Sequence, residues 1–130
     1  MGKLLEMQDI ERHYETPAGV VKALDGVSFE IQEGERVILL GPSGSGKTTL
    51  LNCLSALDSP TGGSYNFLAD EVPRNHSEKM TSFRRDNIGY VFQFFNLLQD
   101  LTVLENILLI QELSGKKDSE RAKQLLKLVG

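Results

Sequence analysis

The chain has 130 residues, the length of one domain, and its 40% apolar and 25% charged residues are typical of a soluble globular protein. A net charge of −4 without a long basic run excludes sequence-independent nucleic-acid binding, so we expect no nucleic-acid partner. The lone cysteine, Cys53, excludes a disulfide within the chain, and neither a cleavable signal nor an apolar run of membrane-spanning length is recognisable. We therefore expect a cytoplasmic protein.

The opening third of the sequence predicts short strands that pair antiparallel. Residues 4–14 alternate weakly in polarity, and residues 20–24 are a further candidate strand after a turn at residues 16–19. Apolar and polar residues alternate strictly over residues 27–31, which is the period of a half-buried strand. Residues 36–40 follow as a short apolar run, and that run predicts a buried strand.

Residues 41–48 read Gly-Pro-Ser-Gly-Ser-Gly-Lys-Thr and fill every fixed position of the phosphate-binding loop G-x-x-x-x-G-K-[ST]. Glycines let the chain curl tightly so that backbone N–H groups approach phosphate oxygens. Lys47 would add positive charge for the outer phosphates, and the Thr48 hydroxyl is the expected Mg²⁺ ligand. The alternative is a Gly/Ser-rich turn that binds nothing. The predicted phosphate-binding residues are Gly41, Pro42, Ser43, Gly44, Ser45, Gly46, Lys47, Thr48 and Thr49.

Five further elements follow the loop. Leucines at helical spacing over residues 50–57 predict a helix that buries Cys53 as a small apolar residue. Residues 58–63 predict a loop and residues 65–68 a returning strand. Ser77 is a candidate cap for a short helix to about Arg85, and residues 88–93 predict another strand.

The pattern becomes helical from residue 96. Thr102 and Glu105 form a capping-box sequence before an apolar stretch that runs to Leu113. Residues 116–118 break that stretch. A last helix then carries one apolar face, made of Ala122, Leu125, Leu126 and Val129.

Four features together resemble the nucleotide-binding domains of ATP-binding cassette (ABC) transporters. They are the loop with its flanks over residues 41–51, the aromatic Tyr14 upstream, the segment 88–93, and the run over residues 96–106. Within the family, the chain most resembles the lipoprotein-releasing and macrolide-export type of subunit. The resemblance implies an α/β P-loop NTPase fold, with an ATP-binding core over residues 1–95 and the beginning of an α-helical subdomain over residues 96–130.

The resemblance also assigns roles to two side chains that spacing alone leaves open. Tyr14 would be an ordinary strand aromatic by spacing, but it matches the aromatic that stacks on adenine. Gln93 would be a solvated strand end, but it matches the glutamine that approaches Mg²⁺ or the attacking water. Lys47 and Gln93 are therefore the candidate catalytic residues, with ATP and Mg²⁺ as the expected cofactors.

The resemblance further implies two protein partners. A second nucleotide-binding domain would form a homodimer on ATP binding. A transmembrane permease would dock at residues 93–95 and hold the subunit at the inner face of the membrane. Phe94 and Phe95 would either serve this contact or belong to the core. The transported substrate and the direction of transport are not readable.

The sequence also departs from the family. A Leu-Ser-Gly-Gly-Gln type of signature, a strand ending in Asp-Glu and a switch histidine are not found after Gln93. Residues 113–115 imitate the signature but are predicted to be a helix-ending turn, and His13 and His76 are expected at the surface. The chain therefore resembles the N-terminal half of such a domain, which alone would be inactive. Two alternatives stay open: a nucleotide-binding module without turnover, and an ABC ATPase of a non-transport complex such as cell division.

Overall fold

The computed structural model describes residues 2–75, 77–94 and 96–130. The chain divides into two units, one up to Ile88 and one from Gly89. The first unit contains a β-sheet and two helices, and the second contains two further helices.

The sheet of the first unit is antiparallel throughout, as predicted for the opening third of the chain. A long hairpin joins β1 (Lys3–Thr16) to β2 (Gly19–Gln32), and β3 (Gly62–Phe67) pairs with the other edge of β1. The two-residue β4 (Asp70–Glu71) completes the order β2-β1-β3-β4. The two strands predicted at residues 20–24 and 27–31 are one continuous strand, β2, whose pairing with β1 shifts register at several bulges.

Two helices cover one face of this sheet. Helix α1 (Lys47–Leu54) follows the glycine-rich loop and ends one turn earlier than the leucine spacing predicts. Helix α2 (Glu78–Asn87) is capped by Ser77, whose hydroxyl accepts a 3.2 Å hydrogen bond from the Met80 N–H, as predicted. Between sheet and helices lies the core, which consists of Leu5, Met7, Ile10, Leu24, Cys53, Ala56, Tyr65, Val72 and Met80.

Two predicted strands are wrong. In the described part of the chain, residues 36–40 form no strand, and Ile38 and Leu40 are 82% and 84% exposed. Residues 88–93 likewise form no strand, and Val91 is fully exposed, so Gln93 does not end an apolar strand as predicted. A strand persists only where a neighbour satisfies its backbone N–H and C=O groups. Neither segment pairs with a strand of the sheet formed by β1–β4.

The second unit contains α3 (Val103–Leu113) and α4 (Ser119–Val129). The predicted capping box is present, with the Glu105 N–H donating to the Thr102 hydroxyl at 3.1 Å and the Thr102 N–H donating to the Glu105 carboxylate at 2.9 Å. The predicted turn after Leu113 is also confirmed, because Ser114 caps α3 and Gly115 follows at φ +75°. On α4, Ala122 is buried as predicted, whereas Val129 is 80% exposed. Among the described residues, no helix is both long and apolar enough to cross a bilayer.

Candidate nucleotide-binding site

The glycine-rich loop has the backbone conformation that its sequence predicts. Gly44 and Gly46 have φ angles of +82° and +95°, in the left-handed region that favours glycine. Gly46 is the N-cap of α1, and its carbonyl accepts a 2.9 Å hydrogen bond from the Leu50 N–H. The loop therefore turns sharply into the helix and directs the unpaired N–H groups at the start of α1 toward one place.

The loop and the start of α1 form one wall of an open recess of about 610 Å³. A stretch of β2 lines the rest of the recess. The lining residues are Val21, Lys22, Ala23, Ser43, Gly44, Ser45, Gly46, Lys47, Thr48 and Thr49. Among these residues two are lysines and none is acidic, so the recess suits an anion.

Lys47 projects from the first turn of α1 back over its own loop. Its ammonium donates hydrogen bonds to the carbonyl oxygens of Gly41 and Pro42. Those two loop residues therefore contact the site through Lys47, while residues 43–49 line the recess directly. A Cβ added to Gly41 would lie 2.8 Å from the Ser45 hydroxyl oxygen, which explains the glycine at this position.

Sequence reasoning missed the wall that β2 contributes. Val21, Lys22 and Ala23 carry no local signal for a ligand site, since they read as ordinary strand residues. Only the packing of α1 against the hairpin brings them to the loop. A Cβ on Gly46 would approach the Ala23 carbonyl oxygen to 2.7 Å.

Tyr14 lies in β1 directly opposite Val21, which lines the recess. Residues directly opposite each other in an antiparallel pair share one face of the sheet, so Tyr14 lies on the face of the hairpin that carries Val21. The Tyr14 hydroxyl donates to Asp58 Oδ2 at 3.1 Å, and the Arg12 guanidinium lies over the Tyr14 ring, 4.3 Å from its centroid. The sequence analysis did not predict this cluster.

Asp58 is the centre of that cluster. Its Oδ2 also accepts a 2.9 Å bond from Arg12 Nε, and its Oδ1 accepts a 2.8 Å bond from the Ser59 N–H. Burial by itself would raise the pKa of Asp58, but the hydrogen bonds from Arg12, Ser59 and Tyr14 together outweigh burial and hold it below the ordinary value of 3.8. Asp58 is therefore a carboxylate at neutral pH.

Tyr14 itself is not among the residues that line the recess. The other candidates are residues 93–95 and two histidines. Gln93 belongs to the second unit and is exposed, Phe94 is 74% exposed, and Phe95 and His76 lie outside the described residues. The side chain of His13 was expected at the surface but is only 26% exposed, with Nε2 3.7 Å from Asp25.

One Asp-Glu pair occurs upstream of Gln93, at residues 70 and 71. Asp70 and Glu71 form β4, where they pair antiparallel with β3 and are exposed. Neither residue lines the recess. The pair is therefore the return strand of a surface hairpin, and it is not a strand end beside the loop.

The profile of the ABC transporter family matches residues 24–130, which include the whole loop and most of the recess. This chain belongs to the ABC transporter family. An uncharacterised ABC transporter ATP-binding protein of Thermotoga maritima is 47% identical over all of this chain and 57% of its own length. The lipoprotein-releasing system ATP-binding protein LolD of Geobacter metallireducens is 39% identical over all of this chain and 58% of its own length.

A solved structure supports the fold class. The ATP-binding cassette MJ0796, a dimer bound to ADP and Pi in a post-hydrolysis state, matches with a TM-score of 0.84 and 36% identity over 95% of this chain and 56% of its own. The predicted family is confirmed, and so is the predicted resemblance to its lipoprotein-releasing and macrolide-export members. The predicted P-loop fold class is also confirmed. This ABC family chain spans little more than half the length of these relatives.

Proposed function

We propose that this chain is the nucleotide-binding part of an ABC transporter subunit, that it binds Mg-ATP in the recess, and that the intact domain hydrolyses ATP to drive transport. The observation that carries the proposal is the convergence of residues 43–49 and the start of α1 on one recess without acidic residues. A helix N-terminus, backbone N–H groups and a lysine are the groups that bind polyphosphates in proteins.

The residues present fit the phosphate groups of ATP and its metal. Gly44 and Gly46 keep the loop backbone free of side chains, so N–H groups can approach the phosphate oxygens. Lys47 is the formal positive charge of the loop and would leave its own carbonyls for the outer phosphates. Thr48 has an exposed side chain and would offer its hydroxyl to Mg²⁺, which neutralises phosphate charge when bound.

Two residues outside the loop are the further candidates for nucleotide binding. Tyr14, paired with the recess residue Val21, would stack on the adenine ring. Gln93 would approach Mg²⁺ or the attacking water, an assignment that rests on the family resemblance of its segment alone. The amide oxygen of Gln93 can bind Mg²⁺ or accept a hydrogen bond from the water.

The proposed partners are a second nucleotide-binding domain and a membrane permease. The dimeric state of the MJ0796 cassette supports the first. The name of the macrolide export ATP-binding/permease protein MacB supports the second, and the exposed Phe94 offers an apolar side chain for such a contact. The subunit would then lie at the inner face of the membrane.

Titration of a fluorescent ATP analogue with Mg²⁺ into the 130-residue chain tests the proposal. Lys47→Ala should weaken binding at least about tenfold, because charge-assisted bonds to phosphate are about twice as strong as neutral ones. Lys79→Ala, which removes an exposed lysine of α2, is the matched control and should keep the original affinity. Equal affinities for the original chain and Lys47→Ala would refute the recess as the binding site.

A further inference from the structure

The Tyr14 ring is held by two side chains that come from different parts of the chain. Arg12 precedes it by two residues on β1, and Asp58 lies in the segment between α1 and β3. The side chains of Arg12 and Asp58 are only 21% and 19% exposed. Their contact is therefore shielded from water more than a surface ion pair and keeps a defined geometry.

One face of the ring is already occupied. The Arg12 guanidinium carbon lies 4.3 Å from the ring centroid, which is the distance of a cation–π contact. A planar ligand cannot stack on that face without displacing Arg12. A base that stacks on Tyr14 would therefore use the opposite face.

The plane of the ring is set by a second contact. Asp58 Oδ2 accepts from both the Tyr14 hydroxyl at 3.1 Å and Arg12 Nε at 2.9 Å. The Ser59 N–H holds the other carboxylate oxygen at 2.8 Å, so the carboxylate cannot rotate freely. The hydroxyl end and one face of the ring are thus both fixed by the same largely buried pair.

We propose that Arg12 and Asp58 are positioning residues for the base of the nucleotide: they fix Tyr14 so that the ring face opposite Arg12 is presented to adenine. The inference rests on the proposed function, because it needs Tyr14 to stack on the base. Preorganisation of this kind lowers the ordering cost of binding, since the ring already has partners that hold its orientation. Arg12 and Asp58 would act on base affinity only, with no contact to the phosphates.

The affinity for ATP divided by the affinity for inorganic triphosphate separates the base from the phosphate loop. Both affinities are measured by competition against the fluorescent ATP analogue. Tyr14→Ala should lower this ratio by about 5- to 150-fold, the range for one stacked base. Asp58→Asn and Arg12→Gln should each lower the ratio by roughly 3- to 10-fold, because each removes only part of the stacking contribution of Tyr14. Triphosphate affinity should stay within about twofold in all three.

Double variants show whether the pair acts through the ring. In a Tyr14→Ala background, Asp58→Asn and Arg12→Gln should leave the ratio unchanged, because there is no ring left to position. Additive losses in that background would overturn the proposal. So would a fall in ATP and triphosphate affinities by the same factor, which is the result for a pair that merely holds the fold together.

Tyr14→Phe covers the case in which a variant of Arg12 or Asp58 fails to fold. It keeps the ring and removes only the hydroxyl that binds Asp58, so the ratio should fall by roughly 2- to 3-fold with the fold intact. An unchanged ratio in this variant would count against the role of Asp58. If Tyr14→Ala itself leaves the ratio unchanged, the positioning role is refuted. The proposed phosphate site is tested separately, by whether the chain binds triphosphate and whether Lys47→Ala loses that binding.

Discussion

The α-carbon of Gly46 lies so close to Ala23 that a Cβ built on it would stand 2.7 Å from the Ala23 carbonyl oxygen. Gly46 is the N-cap of α1 and Ala23 lies on β2, and both residues line the recess. The contact is between backbones, so it depends on the absence of a side chain at Gly46 and not on a rotamer. It therefore ties the phosphate loop to the β-hairpin.

Gly46→Ala should destabilise the fold by about 1–3 kcal/mol, because alanine is strained at φ +95° and its methyl group would push against the Ala23 carbonyl. Urea unfolding measures the loss. The comparison variant is Gly44→Ala, which places the same residue in the left-handed region but meets no atom within 4 Å. The difference between the two variants isolates the contact with Ala23, and equal losses would mean that this contact is readily relieved.

Asp58 should make the stability of the fold depend on pH in the acidic range. Its pKa in the folded chain lies below the ordinary value of 3.8, so its carboxylate stabilises the fold above that value and loses this effect as pH falls through the folded pKa. The gap in unfolding free energy between the original chain and Asp58→Asn should therefore narrow below about pH 4. Asp70→Asn, which replaces an exposed carboxylate of β4, is the control. If the unfolding free energies of the original chain and of Asp58→Asn change with pH in parallel, the predicted contribution of Asp58 is contradicted.

Cys53 should be unreactive in the folded chain. The side chain lies in the core, and burial raises the pKa of its thiol to about 11, from an ordinary value of 9.0. At pH 8 the reactive thiolate should then be about a hundredfold scarcer than in the unfolded chain. Reaction with an aromatic disulfide reagent, with and without urea, measures the two rates. Similar reaction rates with and without urea would show that α1, which contains Cys53, opens readily in the folded chain.

The 130-residue chain should release phosphate from ATP no faster than its Lys47→Ala variant. Phosphoryl transfer depends on groups that position the nucleophile and neutralise charge around the transferred group. After Gln93 the sequence contains neither a Leu-Ser-Gly-Gly-Gln type of segment nor a strand ending in Asp-Glu. Turnover on the order of 1 s⁻¹, the scale of a working enzyme, would show that the chain carries its own general base.

Local signals account for the features that could be predicted from the sequence. The glycines at 44 and 46 predict the loop, because each permits a left-handed backbone that other residues resist. Ser77, Thr102 and Glu105 predict helix starts, because each side chain bonds a backbone group within three residues. Such interactions are complete within one turn of the chain and need no tertiary partner.

Strand predictions at residues 36–40 and 88–93 failed for the opposite reason. An apolar run reports that a segment would gain from burial, but pairing requires a neighbouring strand that the segment itself does not encode. In the described sheet, β1 takes both β2 and β3 as neighbours. Neither segment pairs with a strand of this sheet, and the apolar side chains of Ile38 and Leu40 are exposed.

The sequence by itself determined the family, the phosphate loop and the helix caps, all of which are written in short contiguous motifs. Only the tertiary structure decided that β2 forms the second wall of the recess and that Asp58 holds Tyr14. Asp58 is 44 residues from Tyr14 and 46 from Arg12, and their contact depends on how the segment after α1 returns to β1. Contacts between segments so far apart are set by strand register and packing, which no local pattern of side chains reports.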